Sequence, residues 1–119
     1  MNAEQLKART KNFAHRCVKL ALSLPKTGLG KHLGNQLIRS STSVAANYRA
    51  ACVAQSKAAF VAKLSIALEE ADESVFWVEF IRDEHLFDDH RLLDLLTEGK
   101  EICSILASSR KSSTKPKAL

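Results

Sequence analysis

The first part of the chain follows the apolar repeat of a helix that buries one face. Its buried positions recur at alternating steps of four and three residues, and they are Leu6, Thr10, Phe13, Cys17, Leu20 and Leu24. Asn2 can cap this helix, and Gln5 can complete a capping box with it. Pro25 disfavours helical backbone at the residue before it. The pattern predicts a first helix over residues 3–24.

A glycine-rich corner separates this helix from the next one. Residues 25–34 contain three of the four glycines, so we expect a turn that frays the start of the second helix. The corner holds Lys26 and Lys31, but the motif G-x-x-x-x-G-K-[ST] is absent, which argues against nucleotide binding. The second helix is predicted over about residues 33–52, with a stripe of Leu33, Leu37, Ser41, Val44, Tyr48 and Cys52.

The third helix should be the longest and carries more apolar surface than one stripe. It is predicted to begin after a Ser56 cap and to end near residue 84. One stripe, suited to the core, comprises Phe60, Leu64, Ala67, Ala71, Val78 and Ile81. The additional apolar side chains are Val61, Leu68, Val75, Phe76, Trp77 and Phe80. Because large exposed apolar patches usually mark contact sites, we expect a subunit interface on this helix.

The end of the chain predicts a fourth helix and a tail. The helix should span about residues 89–109, with Asp88 or Asp89 as its cap and a weakness of about 1 kcal/mol at Gly99 relative to alanine. Residues 110–119 are rich in Ser and Lys, and we expect a disordered basic tail there. Four helices joined by short loops favour an all-α, antiparallel up-down-up-down four-helix bundle. Residues 1–109 would form this single domain.

The second helix also carries polar side chains beside its stripe. A buried amide without a hydrogen-bond partner costs about 1 to 3 kcal/mol, so an asparagine beside the seam should be paired. We therefore predict that Asn47, with Gln36 and Ser43, hydrogen-bonds across to the third helix, where Glu73 is one candidate partner. The alternative is an exposed Asn47 that faces solvent. In the first case these residues would set the register of the bundle.

Charge is unevenly distributed along the chain, whose net charge is +5. Residues 1–57 carry ten Lys or Arg and one acid, a net charge of +9, whereas residues 58–109 carry four against twelve, a net charge of −8, and residues 110–119 add +4. This polarity suits a polyanionic partner, or attraction between the two halves within one chain or between subunits. The candidate nucleic-acid-binding cations are Lys7, Lys11, Arg16, Lys19, Lys26, Lys31, Arg39 and Arg49.

Catalytic, metal and cofactor chemistry finds little support in the residue pattern. Di-metal sites in bundles use Glu-x-x-His pairs, and no acid stands three residues before any of the four histidines. His85 and His90 lie near acids, where a solvated helix junction is a simpler interpretation than a metal site. No serine or cysteine has a recognisable nucleophile context, and the three cysteines are predicted to be reduced and packed. We expect no enzyme activity, no cofactor and no metal.

The hydropathy pattern predicts a soluble cytoplasmic protein. No apolar run approaches the roughly 18 residues that a membrane span requires. The N-terminal residues contain no apolar leader region. Membrane association is therefore not expected.

Several motif residues resemble those of one known family. The corner Leu24-Pro25-Lys26 precedes Gln36-Leu37-x-Arg39 and Ser43-Val44-x-x-Asn47, and a helix with Phe60-x-x-x-Leu64, Ile66-Ala67 and Glu73 follows. Over roughly residues 10–108 the pattern resembles the four helix bundle protein family, also called the S23 or 23S rRNA intervening-sequence protein family. The chain departs from that family at Ala50 and Ala51, where an acid and a glycine usually follow the asparagine.

The resemblance implies an antiparallel bundle that assembles into a ring-like homopentamer. Some members are encoded within 23S rRNA genes, and others are accessory proteins of diversity-generating retroelements, where a basic surface is associated with reverse transcriptase and nucleic acid. With the basic N-terminal half, this implies a non-catalytic homo-oligomer that binds RNA or DNA phosphates, with a reverse transcriptase as a further candidate partner. The alternative is a protein-interaction or scaffold module without a nucleic-acid role.

Overall fold

Four α-helices make up most of the chain in the computed structural model. The structure describes residues 1–88 and 90–114. The helices are α1 (Ala3–Ser23), α2 (Gly28–Cys52), α3 (Lys57–Asp83) and α4 (His90–Thr114). No strand occurs within the described residues. The prediction of an all-α chain with four helices is therefore confirmed.

Side chains at the helix starts satisfy backbone amides that have no partner within the helix. Asn2 and Gln5 form the predicted capping box, in which the Gln5 amide donates to Asn2 Oδ1 (2.8 Å) and the Asn2 amide donates to Gln5 Oε1 (2.9 Å). Ser56 caps α3 by accepting a hydrogen bond from the amide three residues on (3.0 Å). Leu24 is extended (φ −71°, ψ 155°) directly before Pro25, so α1 ends where the proline predicts.

Helix α2 begins at Gly28, so the frayed corner that we expected before residue 33 is wrong. Thr27 caps the helix, because its hydroxyl accepts a hydrogen bond from the Gly30 amide (3.1 Å). A Cβ atom on Gly30 would lie 2.0 Å from the Pro25 carbonyl oxygen. This glycine is therefore required by close backbone packing at the corner.

Gly34 has a similar role one turn further along α2. A Cβ atom at this position would lie 3.3 Å from the carbonyl oxygen of Ala21 on α1. The glycine lets the two helices approach closely. Two of the glycines that suggested a flexible corner thus mark tight packing instead.

Helix α4 continues to Thr114, beyond residue 109 where we predicted its end. Residues 110–114 are helical, so the prediction of a disordered tail is wrong for them. The remainder of that predicted tail, residues 115–119, lies outside the described residues, as does the candidate cap Asp89.

Each helix packs against the helix that precedes it in the chain, and α1 also contacts α4. The residues that meet show antiparallel order. His32 contacts Trp77, with ring centroids 6.0 Å apart, whereas Arg39, later in α2, contacts Glu70, earlier in α3 (3.0 Å). With connecting segments of only a few residues, the helices alternate in direction as predicted.

The core contains the stripes that the apolar periodicity predicts. The stripe residues of α1 and α2 are buried, apart from Cys52, which is half-buried. The stripe of α3 is buried from Leu64 onward, and Phe60 is half-buried. All four helices contribute large side chains to the centre, among them Phe13, Leu33, Leu37, Leu64, Ile81, Ile102 and Leu106. Full burial of one such side chain contributes about 1.5 to 3 kcal/mol, so this core dominates the stability of the bundle.

Gly99 lies where α4 packs closely on two other helices. A Cβ atom there would lie 2.8 Å from Val75 Cγ2 on α3 and 3.2 Å from Phe13 Cε1 on α1. The low helix propensity of glycine is tolerated at this position because a larger residue would separate the helices.

The polar side chains of α2 do not make the predicted bonds to α3. Asn47 Nδ2 donates to the carbonyl and hydroxyl oxygens of Ser43, one turn earlier in the same helix (3.0 and 2.9 Å). Gln36 Oε1 accepts from Arg39 Nε (3.3 Å), also within α2. The cross-helix prediction for Asn47, Gln36 and Ser43 is therefore wrong, because partners in the same helix satisfy these groups.

Two fully buried serines join α2 to α3 instead. Ser74 Oγ lies 2.9 Å from Ser40 Oγ and 2.8 Å from the Glu70 carbonyl oxygen. Both side chains are small, so they let the helix backbones come close while satisfying their own hydroxyl groups. The Ser40–Ser74 contact therefore favours one alignment of α2 along α3.

Candidate nucleic-acid interface

A charge cluster joins α1 to α4. Arg9 donates from Nε to Glu98 Oε2 (2.8 Å) and from Nη2 to Glu98 Oε1 (2.6 Å), and Nη2 also lies 2.5 Å from Glu101 Oε2. The hydrogen bonds from Arg9 hold the pKa of Glu98 below its usual range, while burial acts in the opposite direction. The hydrogen bond with Glu98 also raises the pKa of the Arg9 guanidinium. Arg9 therefore links α1 to α4.

Arg39, one of the predicted nucleic-acid contacts, joins α2 to α3. Its guanidinium pairs with Glu70 (3.0 Å) and with Glu73. Glu73 also accepts a hydrogen bond from Trp77 Nε1 (2.9 Å). Glu73 therefore lies at the α2/α3 junction as predicted, but its partner from α2 is Arg39 and not Asn47. Half of the Arg39 side chain (50%) stays exposed.

The remaining candidate cations differ in whether an acid neutralises them. Lys7 pairs with Glu4 on the same helix (2.6 Å), and Glu4 is largely exposed, so this pair contributes little to stability. Six candidates have no ion pair with an acid among the described residues: Lys11, Arg16, Lys19, Lys26, Lys31 and Arg49. Five of these six side chains are exposed, and Arg16 is half-buried.

These six cations lie on α1, on α2 and on the segment between them, which together we call the basic side. Because α1 and α2 are neighbours, the bundle gathers their charges onto one side of the molecule. Residues 1–52 contain nine Lys or Arg and a single acid, Glu4. Exposed acids lie instead on the neighbouring helices, among them Glu69, Asp72, Asp83 and Asp94. Such a separation of charge produces a positive potential over the basic side.

The outer surface of α3 carries exposed aromatic rings, which we call the α3 aromatic patch. Phe76 and Phe80 are 49% and 38% exposed, and their ring centroids lie 5.9 Å apart. Trp77 contacts the Phe76 ring edge to face, with centroids 4.9 Å apart. Of the additional apolar residues predicted on this helix, Val75 is buried in the core, whereas these phenylalanines remain exposed.

A groove between α1 and α4 contains residues that the sequence pattern did not identify. It is lined by Arg16 and Lys19, which were candidate cations, and by Phe87 and Arg91, which were not. Phe87 lies in the segment between α3 and α4. Its sequence neighbours are those of an ordinary apolar residue that packs a connecting segment against the core. Its position beside α1 depends on how α4 packs, so no signal within the segment distinguishes it.

Reactive side chains are few within the described residues. All three cysteines are free thiols. Burial raises the pKa of the Cys17 thiol to about 12 and that of the Cys103 thiol to about 11, so both are protonated at neutral pH and poorly nucleophilic. The described residues, which exclude Asp89, contain no group of three or more side chains that could hold a metal ion. None of the described helices is both long and apolar enough to cross a membrane.

Comparison with known proteins places the chain in a family. The sequence model of the 23S rRNA-intervening sequence protein family matches residues 4–108. The chain belongs to this family. A crystal structure of a protein of unknown function from the S23 ribosomal protein family of Bacteroides thetaiotaomicron is similar, with a TM-score of 0.85 and 33% sequence identity over 93% of this chain and 99% of that chain. No curated protein matches the chain at a significant level.

The family resemblance predicted from the motif residues is thus confirmed. In this member of the family, the motif residues have structural roles. Leu37 and Val44 are fully buried in the core, and Arg39 joins α2 to α3. The motif therefore identifies the fold, whereas the candidate interface consists of the cations around it.

Proposed function

We propose that this protein is a non-catalytic, homo-oligomeric helical bundle that binds RNA or DNA phosphates through the basic side. The observation that carries the proposal is the set of six cations on this side that form no ion pair with an acid among the described residues. Arg9 and Arg39 differ, since acids of α3 and α4 neutralise them. Cations that are not held in ion pairs attract a polyanion. The family name, which refers to a 23S rRNA-intervening sequence, supports RNA as that polyanion.

Binding of this kind would be largely independent of base sequence. Exposed lysine and arginine side chains contact phosphates, and phosphate contacts position a nucleic acid without reading its bases. Each neutralised phosphate releases bound counterions, so affinity should fall steeply as salt concentration rises.

Filter binding of RNA and of DNA at several salt concentrations tests the proposal. The logarithm of the binding constant should fall linearly with the logarithm of salt concentration, with a slope of about −0.7 to −0.9 for each neutralised phosphate. The variant Lys11→Gln/Lys31→Gln should weaken binding and make the slope shallower by about 1 per lysine that contacts phosphate. The control Lys63→Gln/Lys100→Gln makes the same change of charge on α3 and α4 and should have a much smaller effect. No retention of either nucleic acid at the lowest ionic strength would contradict the proposal.

The proposed oligomer places a second copy of this chain against the α3 aromatic patch. Exposed neighbouring phenylalanines are unfavourable in water, and a contact between copies would remove them from it. The family resemblance implies a ring-like homopentamer, in which symmetry would repeat the basic side around the ring. That repetition would raise avidity for a long polyanion. A reverse transcriptase as an additional partner stays a prediction of the resemblance.

The alternative function is a protein-interaction module without a nucleic-acid role. The observation that favours it is that exposed acids, such as Glu69 and Asp72, lie on the same helix as the aromatic patch. In such an assembly the basic side of one copy would meet the acidic surface of α3 on another. Filter binding separates the two functions, because only the first predicts that nucleic acid is retained at low ionic strength. Sedimentation at increasing salt separates the two kinds of contact: an assembly held by charge should dissociate, whereas one held by apolar contact should persist.

A further inference from the structure

The groove between α1 and α4 combines an apolar floor with a basic rim. Its volume is about 230 Å³. Three leucines form the floor and are themselves buried, namely Leu20, Leu92 and Leu95. Arg16 and Lys19 line it from α1, and Arg91 lines it from α4. None of its described lining residues is acidic. An anion with an apolar portion fits this combination of surfaces.

An aromatic ring forms one wall of this groove. Phe87 is half-buried, and the guanidinium carbon of Arg91 lies 6.0 Å from its ring centroid. The ring also borders a neighbouring depression, which is lined by Arg82, His85 and the acid Asp88, so it stands between two open spaces. Proteins that bind single strands combine aromatic rings with nearby cations. The bases stack on the rings, and the cations contact the backbone phosphates.

The size of the groove limits what can enter it. Sites for drug-sized ligands usually have volumes of about 300 to 1,000 Å³, so a groove of about 230 Å³ suits a smaller group such as a single base. A base in a duplex is paired and stacked, and a protein must extrude it before it can enter a pocket. A base in a single strand is already accessible. The groove should therefore favour unpaired nucleic acid.

We infer that the α1/α4 groove accepts one unpaired base of single-stranded RNA or DNA. The base lies against Phe87 and the leucine floor, and the flanking phosphates contact Arg16 and Lys19. The inference rests on the proposed function, since both cations belong to the basic side. It adds a preference for single strands, which phosphate contacts alone do not provide.

Fluorescence anisotropy with a short single strand and the matching duplex, as RNA and as DNA, tests this inference. The wild-type protein should bind the single strand more tightly. Phe87→Leu keeps an apolar side chain but removes the aromatic face, and it should weaken single-strand binding by about 5-fold or more, the loss expected for one stacked base. Duplex binding should not change. Phe87→Tyr keeps the ring and should bind like the wild type. Val53→Ala, which changes an exposed apolar residue just after α2 that lines neither space beside Phe87, provides a further control.

A stacking-sensitive label provides the second readout. A single strand that contains 2-aminopurine should lose fluorescence on binding to the wild-type protein and to Phe87→Tyr, but less so with Phe87→Leu. Equal affinity for single strand and duplex, unaffected by Phe87→Leu, would overturn the inference and leave phosphate binding by the basic side intact. Absence of binding to either form at low salt would overturn the proposed function and the groove together.

Discussion

At the scale of single residues, small side chains mark the points where helices of this bundle approach most closely. Gly34 lies against the backbone of α1, Gly99 lies between α1 and α3, and Ser40 meets Ser74 between α2 and α3. In each case the neighbouring atoms leave little room for a larger side chain. Intrinsic helix propensity is secondary at these positions because the cost of separating packed helices exceeds it.

Gly99→Ala should destabilise the protein even though alanine favours helix. The new Cβ would lie 2.8 Å from Val75 Cγ2, and Val75 is short and stiff while Phe13 is almost fully buried. We expect a loss of about 1 to 3 kcal/mol in the free energy of unfolding, measured by urea denaturation. Gly28→Ala is the matched control, because no atom lies within 4 Å of its added Cβ, and it should be neutral or stabilising. A Gly99→Ala variant as stable as the wild type would contradict this interpretation.

Ser74→Ala should cost more stability than Asn47→Ala. Loss of the Ser74 hydroxyl removes the polar contact with the fully buried Ser40, and we expect a decrease of about 1 kcal/mol. Asn47 bonds only to Ser43 in its own helix and is half-buried, so its replacement by alanine should change stability by less than about 0.5 kcal/mol. Thermal or urea denaturation of both variants measures the order. The reverse order would indicate that Asn47 has a tertiary role.

At the scale of elements, the contact between α1 and α4 depends on a few side chains. Fewer residues of this pair of helices approach each other closely than in the pairs that are consecutive in sequence. Arg9 closes one part of the interface through Glu98 and Glu101. Further along, the two helices leave the groove that contains Phe87. The same limited contact therefore explains the charge cluster and the open groove.

Arg9→Gln should destabilise the protein in a pH-dependent way. The pKa of Glu98 is lowered in the folded state, so its ion pair stabilises the fold above the unfolded-state pKa of about 4.3 and loses that effect as pH falls through the lower folded-state pKa. We expect Arg9→Gln to lose about 1 kcal/mol at pH 7, with a difference from wild type that shrinks below about pH 4. Urea denaturation between about pH 3 and pH 7 measures this difference in the free energy of unfolding. Lys11→Gln, which removes an exposed cation without an ion pair to a described acid, should show no such convergence.

At the scale of the whole molecule, the fold places the basic side and the α3 aromatic patch on different helices. The basic side carries six cations that form no ion pair with a described acid, five of them exposed, whereas α3 presents aromatic rings and acids. A polyanion and a second copy of the chain could thus bind without competing for one surface. This arrangement is the physical basis for proposing both binding and assembly.

Phe76→Ser/Phe80→Ser should shift the protein toward the monomer. The substitutions remove the two exposed rings whose burial would stabilise a contact between copies, and they lie outside the core. Sedimentation velocity over a range of protein concentrations measures the change. Leu93→Ser, which removes an exposed apolar side chain from α4, should leave the assembly unchanged. A wild-type protein that is monomeric at micromolar concentration would contradict the proposed oligomer.

The sequence by itself determined the helices and the residues that form their buried stripes. The capping box of Asn2 and Gln5, the end of α1 before Pro25 and the alternating apolar positions all depend on neighbours within a few residues. Local chemistry and a repeat of about 3.6 residues are sufficient to predict such features. The family pattern around Leu37 and Val44 can be recognised in the sequence because these residues repeat at the spacing of one buried helical face.

Only the tertiary structure decided which polar and small residues meet across helices. It assigned Arg39 to Glu70 and Glu73, paired Ser40 with Ser74, and placed Phe87 beside α1. It also showed that Gly30 and Gly99 are packing residues. These contacts join positions that the helix repeat leaves independent of each other, because the repeat fixes which face is buried but not how far one helix slides or rotates against the next.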